Sequence, residues 1–224
     1  YIGKYAFCQC SSLKQITIPP SVIIIGKSAF YQCSSLEQIT ISLSLAKIDK
    51  RVFEGCSSLK KIIFPSSATE EEKDNFNKAI NLSNNLTYIP LRSFYGCSSL
   101  EQITIPSPVT KIGYAAFYQC SSLTQILIPS SVNDIGDHAF GQCSSLKQIT
   151  IPPSVAIIGK SAFYQCSSLE QITILSSLTE IDERVYERCS SLKQITIPSS
   201  VIKIGYSAFS ECSSLSEITI PPSV

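Results

Sequence analysis

The tetrapeptide Cys-Ser-Ser-Leu starts at Cys10, Cys33, Cys56, Cys97, Cys120, Cys143, Cys166, Cys189 and Cys212. Every step is 23 residues except Cys56 to Cys97, which spans 41 and so holds one period with 18 residues added. A fixed period overrides local readings, because a unit this short cannot bury its own apolar face and must stack on its neighbours. With the addition set aside, the 224 residues make almost nine periods. The chain therefore reads as one solenoid over residues 1–224, of about nine 23-residue units, and not as one or two globular domains.

Each unit has the same internal grammar. In Leu13-Lys14-Gln15-Ile16-Thr17-Ile18-Pro19 the Ile16/Ile18 alternation predicts a short half-buried strand. Pro19 ends it, since proline cannot donate to a ladder. A loop then carries Val22 and Ile25 inward to Gly26, a position held elsewhere by Asp49, Pro90 and Asp182. Those residue types share suitability for a helix start, which predicts a short helical or 3₁₀ turn over residues 27–32. That turn would bury Ala29, Phe30 and Cys33 and leave Lys27 and Ser28 in water. Stacked parallel strands lie about 4.8 Å apart, so nine coils form a body on the order of 45 Å long. Equivalent residues become columns, among them a ring column of Phe7, Phe30, Phe53, Phe94, Phe117, Phe140, Phe163, Tyr186 and Phe209.

The unit Leu-x-x-Ile-x-Ile-Pro-x-Ser-Val-x-x-Ile-Gly-x-x-Ala-Phe-x-x-Cys, as from Leu13 to Cys33, resembles the BspA-like (Treponema pallidum-type) leucine-rich repeat. The resemblance covers essentially the whole chain apart from the added segment. It implies an α/β repeat fold: a right-handed leucine-rich repeat solenoid with short parallel strands on the concave face and short helical or 3₁₀ turns on the convex face. It also implies a cell-surface or secreted protein-binding domain of the adhesion or host-interaction kind. A cytoplasmic scaffold, or a structural spacer without a ligand of its own, stands as the alternative. Commoner leucine-rich repeats carry Asn where this chain has Ser21, Ser67, Ser131, Ser154 or Ser200, so an Asn ladder is not available. A second level of repetition is present: Leu13 to Val52 matches Leu146 to Val185 nearly letter for letter. Such block duplication favours an expandable repeat array over an enzyme with one tuned site.

The outward strand positions form polar columns. The candidate partner-binding face comprises Gln15, Thr17, Gln38, Thr40, Gln102, Thr104, Gln125, Gln148, Thr150, Gln171, Thr173, Gln194 and Thr196, with Lys61, Ile63 and Leu127 as departures from the pattern. A further column alternates sign: Lys14, Glu37, Lys60, Glu101, then Lys147, Glu170 and Lys193. Opposite charges on neighbouring strands support pairing by about 0.2–1 kcal/mol. Two readings of these columns stand, a solvated surface that holds register and a flat surface for a protein or glycan ligand.

The added segment, residues 66–84, opens with the capping-box form Ser67-Ala68-Thr69-Glu70, and Phe76, Ala79 and Ile80 would give a helix one apolar stripe. Asn81 and Asn85 each begin a glycosylation sequon. The 10 cysteines include no C-x₂-C pair and the chain has one histidine, His138, so no zinc site is expected and the cysteines read as free thiols packed like small hydrophobes. His138 reads as a solvent-facing residue of its turn. No nucleophile–base pair, phosphate loop or cofactor motif is present in the sequence, which points away from an enzyme. The balance of 18 basic and 17 acidic residues argues against nucleic acid as partner, and no apolar run approaches a membrane span. Both termini, Tyr1-Ile2-Gly3 and Pro222-Ser223-Val224, fall inside a loop with no polar cap, so a fragment with these ends is expected to associate end to end.

Overall fold

The computed structural model describes residues 1–41, 45–63, 86–175 and 177–224. The expected insertion helix, Asn81 and Asn85 lie outside the described residues.

The Ile-x-Ile stretches form the expected strands: β1 (Gln15–Ile18), β3 (Gln38–Ile41), β5 (Lys61–Ile63), β7 (Gln102–Thr104), β9 (Gln125–Leu127), β11 (Gln148–Ile151), β13 (Gln171–Ile174), β15 (Gln194–Thr196) and β17 (Glu217–Thr219). All their pairings are parallel and offset by whole coils, as in Gln15↔Gln38, Gln148↔Gln171 and Gln194↔Glu217. The segment read as a loop holds a second series of two-residue strands: β2 (Ile24–Ile25), β4 (Lys47–Ile48), β6 (Tyr88–Ile89), β8 (Lys111–Ile112), β10 (Asp134–Ile135), β12 (Ile157–Ile158), β14 (Glu180–Ile181) and β16 (Lys203–Ile204). These also pair in parallel, for example Ile25↔Ile48 and Ile135↔Ile158. The core lies between the two strand series and the ring column, with Ile25, Phe30, Leu36 and Ile39 fully buried.

The long step from Cys56 to Cys97 counts as a single coil. Phe53 N–H donates to Ser93 O at 2.9 Å and Gly55 N–H to Tyr95 O at 2.8 Å, so the coil after the added segment stacks directly on the coil before it. The ring column is continuous across the same junction. Phe53 and Phe94 stack at 5.6 Å, within a column whose neighbouring centroids are 5.1 to 5.8 Å apart. That spacing exceeds the roughly 4.8 Å between strands.

The expected helical or 3₁₀ turn is not formed, and no helix is found among the described residues. Residues 27–32 are a run of turns instead, and the reason lies in where their amides point. Ser28, Phe30 and Gln32 donate to Lys50, Val52 and Glu54 of the following coil, at 3.1, 3.0 and 2.8 Å. Ala29, Tyr31 and Cys33 close local turns to Gly26, Ser28 and Phe30. A helix would keep all these donors to itself. The alternation requires left-handed residues, and each coil has two, four positions apart: Ser28 (φ 54) and Gln32 (φ 54), Ala115 (φ 49) and Gln119 (φ 62), through Ser207 and Glu211. Only Gly55 (φ 75) and Gly96 (φ 72) place glycine, the residue for which this region is free of strain, at such a position. Ala29, Phe30 and Cys33 are buried as expected, whereas Ser28 is 1% exposed and does not face water.

Candidate functional site

The strand series places the predicted face residues in columns one coil apart. Gln102, Gln125, Gln148 and Gln171, with Thr104, Thr150 and Thr173, line a groove of about 550 Å³ whose floor is Ile103, Ile126 and Ile149. Leu127 stands in the Thr column of this groove, paired in register with Thr104, and is 75% exposed. Gln15, Thr17, Gln38 and Thr40 continue the same face on β1 and β3, and Gln194 and Thr196 on β15. Lys61 is exposed and borders a separate hollow with Lys14, Gln15, Glu37, Gln38 and Lys60. Ile63 pairs with Thr40, and its side chain lies outside the described residues. The charge column forms where the signs alternate, with Lys193–Glu170 at 2.7 Å and Lys60–Glu37 at 3.8 Å. All four of these side chains are more than half exposed, so each pair holds register weakly.

Other polar columns are spent on the fold itself. Ser131, Ser154, Ser200 and Ser223 donate Oγ–H to Val109 O, Val132 O, Leu178 O and Val201 O of the preceding coil at 2.6 to 2.7 Å. Serine thus builds the ladder that asparagine would build in commoner repeats. The first serine of six of the nine Cys-Ser-Ser-Leu sequences does the same on another edge, as in Ser121 Oγ to Ser98 O at 3.3 Å. Beside it runs an amide ladder that the sequence reading missed, Gln119 to Gln142 at 2.9 Å and Gln142 to Gln165 at 2.7 Å. These ladders line a lateral groove of about 880 Å³ that ends at Arg188 and Glu211. The signal was a glutamine just before the repeat cysteine at one fixed position of the period, in Gln9, Gln32, Gln119, Gln142 and Gln165.

The cysteines are free thiols. From the second repeat on, each repeat thiol points at the carbonyl of the preceding ring residue: Cys56 Sγ donates to Phe30 O at 3.1 Å and Cys143 Sγ to Phe117 O at 3.2 Å. Burial pushes the thiols of Cys97, Cys120, Cys143, Cys166 and Cys189 above their ordinary pKa, which keeps them protonated donors and poor nucleophiles.

The turn side carries an aromatic cluster. Tyr95 and Tyr118 stack at 5.2 Å, and His138 meets Tyr114 and Tyr118 edge-on at 5.6 and 6.0 Å. The Arg92 guanidinium lies 4.1 Å over the Tyr95 ring and pairs at 2.9 Å with Glu54, a buried carboxylate that also holds Arg51 at 2.7 Å. Contrary to the sequence reading, His138 is half-buried among tyrosines, and it holds a left-handed position (φ 56) instead of a helical one. Among the described residues no group of three or more His, Cys, Asp or Glu stands together as a metal site, and no helix is long and apolar enough to cross a membrane.

Comparisons with known proteins agree with this geometry. The family model described as "BspA type Leucine rich repeat region (6 copies)" matches residues 1–124, 72–193 and 110–224. A leucine rich repeat protein of T. pallidum superposes with a TM-score of 0.58 at 22% identity, over 92% of this chain and 79% of that one. A leucine-rich repeat protein from Bacteroides ovatus gives 0.51 at 26% identity, over 99% and 77%. The pneumococcal vaccine antigen PcpA gives 0.62 at 21% identity, over 100% and 64%. A search of curated proteins finds no match.

Proposed function

The chain belongs to the BspA-type leucine-rich repeat family, and on that premise we propose that it is a non-enzymatic binding module of a cell-surface protein that engages a partner protein through its concave strand face. The observation that carries the proposal is Leu127. It is a large apolar side chain 75% exposed in the Thr column of a groove whose walls are amides and hydroxyls over an isoleucine floor. Covering such a side chain with a partner removes its apolar area from water, which favours docking by about 25 cal/mol per Å² buried. The rest of the face, Gln and Thr in register one coil apart, supplies hydrogen-bonding complementarity around that anchor. His138 supports the non-enzymatic reading, because its ring contacts are Tyr114 and Tyr118 and not a nucleophile or carboxylate. Surface display is the part that the family resemblance carries.

A photoreactive residue placed at Leu127 in the full-length protein tests the binding face. The expected result is a discrete cross-linked protein from intact cells or host extract, absent when the same residue replaces Tyr206 on the turn side. Cross-links from Tyr206 alone, or from neither position, refute the concave-face reading. Antibody access to the protein on unpermeabilised cells tests display, and a strictly cytosolic location refutes it.

A further inference from the structure

Most of the surface polar columns on this solenoid satisfy themselves from coil to coil. Serine hydroxyls reach carbonyls and glutamine amides reach each other. The cluster of Tyr95, Tyr114, Tyr118 and His138 departs from that habit. Among the described residues, none of its phenol hydroxyls or imidazole nitrogens has a hydrogen-bond partner. With Arg92 and Ala115 they enclose a hollow of about 230 Å³. Pockets for drug-sized ligands run to about 300–1,000 Å³, so this one suits a single ring.

The walls are held in place from behind. Arg92 is held by Glu54 at 2.9 Å and backs the Tyr95 ring, and because Glu54 is shared with Arg51 the two guanidiniums keep one net positive charge between them. Tyr118 owes its position to a departure from the repeat. The position after the ring residue is tyrosine in Tyr31, Tyr95, Tyr118 and Tyr164, and in the coil that follows Tyr118 it is Gly141, where an added Cβ would come within 2.8 Å of two Tyr118 ring atoms. Glycine is needed there for space, not for backbone conformation. Removing that side chain lets Tyr118 lie across the next coil, beside His138.

We infer that this convex hollow is a carbohydrate-binding subsite that takes one hexose or N-acetylhexosamine residue of a glycan. A pyranose has an apolar C–H face that can stack on the exposed Tyr114 ring, since the Tyr95 and Tyr118 rings stack on each other, and a rim of hydroxyls that both donate and accept. The unpaired phenols and the imidazole supply matching groups around the edge. The subsite lies on the turn side, away from Leu127, and is independent of the protein-binding proposal.

The test is titration of the intact chain with hexamers of glucose, galactose, mannose and N-acetylglucosamine, read by calorimetry and by tyrosine emission. The chain has no tryptophan, so its emission reports on tyrosine directly. At least one probe is expected to bind saturably. Tyr114→Ala should weaken binding by about tenfold, the loss of roughly one stacking contact, and Tyr118→Ala should weaken it as well. Gly141→Ala, which displaces the Tyr118 ring without deleting it, should weaken binding with unchanged circular dichroism. Tyr206→Ala and Leu127→Asp should leave binding as it was. The inference is overturned if no probe binds at about 10 mM, if binding survives loss of Tyr114 and Tyr118, or if Leu127→Asp abolishes it. It is also overturned if proline- or aromatic-rich peptides bind the hollow and the sugars do not.

Discussion

Tyr186 is the one tyrosine in a column of phenylalanines, and it is completely buried. Its ring stacks with Phe163 at 5.8 Å and Phe209 at 5.4 Å, so the aromatic contacts are those of any other rung. Its hydroxyl is buried without a hydrogen-bond partner. An unsatisfied buried hydroxyl costs about 1–3 kcal/mol. Tyr186→Phe removes that cost and leaves a void of one oxygen, which takes back at most about 1 kcal/mol. The net expectation is stabilisation by about 1 kcal/mol. With an m-value near 3 kcal/mol/M in urea, the midpoint should rise by about 0.3 M at unchanged m. The reverse change, Phe163→Tyr, should destabilise, since it introduces a second buried hydroxyl beside the first. Equilibrium urea unfolding followed by circular dichroism and by tyrosine emission measures both. A lower midpoint for Tyr186→Phe would refute the reasoning and show that the hydroxyl is satisfied in the folded protein.

Four further outcomes are expected. Glu54→Gln leaves Arg51 and Arg92 facing each other without a counter-charge, and because both guanidiniums are partly solvated the loss should be about 2 kcal/mol, less than for a fully buried pair; thermal unfolding measures it. Ser154→Ala removes the 2.6 Å bond to Val132 O and should cost about 1 kcal/mol, with Ser131→Ala costing a similar amount. A thiol reagent should label Cys8, Cys10 and Cys212 in the native protein, all of them half-buried, and all ten cysteines after denaturation; rapid native labelling of Cys120 or Cys143 would contradict the burial. Apart from Cys33, whose thiol is lowered by its hydrogen bond with Cys56, burial raises the folded-state pKa of the repeat thiols from Cys97 onward, that of Cys212 to about 11. Their contribution to stability is therefore complete below the unfolded value of about 8.5 and is lost as pH rises through the folded values. Unfolding midpoints should be level near pH 7–8 and fall above about pH 9.

The parts of the fold carried by side-chain periodicity were legible in the sequence. The 23-residue register, the Ile16/Ile18 alternation and the ring column all correspond to single positions of the unit, and each reappears as a strand pairing or a ring stack. The helical turns were misjudged because Gly26, Asp49 and Pro90 were weighed by what each can start locally. The backbone of residues 28 and 32 is decided by the next coil, which accepts their amide hydrogens, and no residue type signals this. Arginine, histidine, glutamine and alanine all hold the left-handed positions, so the usual glycine marker is missing. The second strand series was hidden for a related reason, since two residues are too few to show an alternation. On the candidate face, the placement of Gln125 and Leu127 followed from pleat alternation. The Tyr–His hollow did not, because it joins Tyr95, Tyr114 and His138 from three coils at three different positions of the period.

Those left-handed positions have a consequence for how the molecule comes to exist. A non-glycine residue in that region costs about 1–2 kcal/mol. In Ser28, Gln32, His138 and Gln142 the compensating amide bond is made to the coil that follows. A solitary coil would hold two such penalties with nothing to offset them. Formation should therefore resemble crystal growth: a costly seed of adjoining turns, then cheap accretion in which every finished layer is the mould for another.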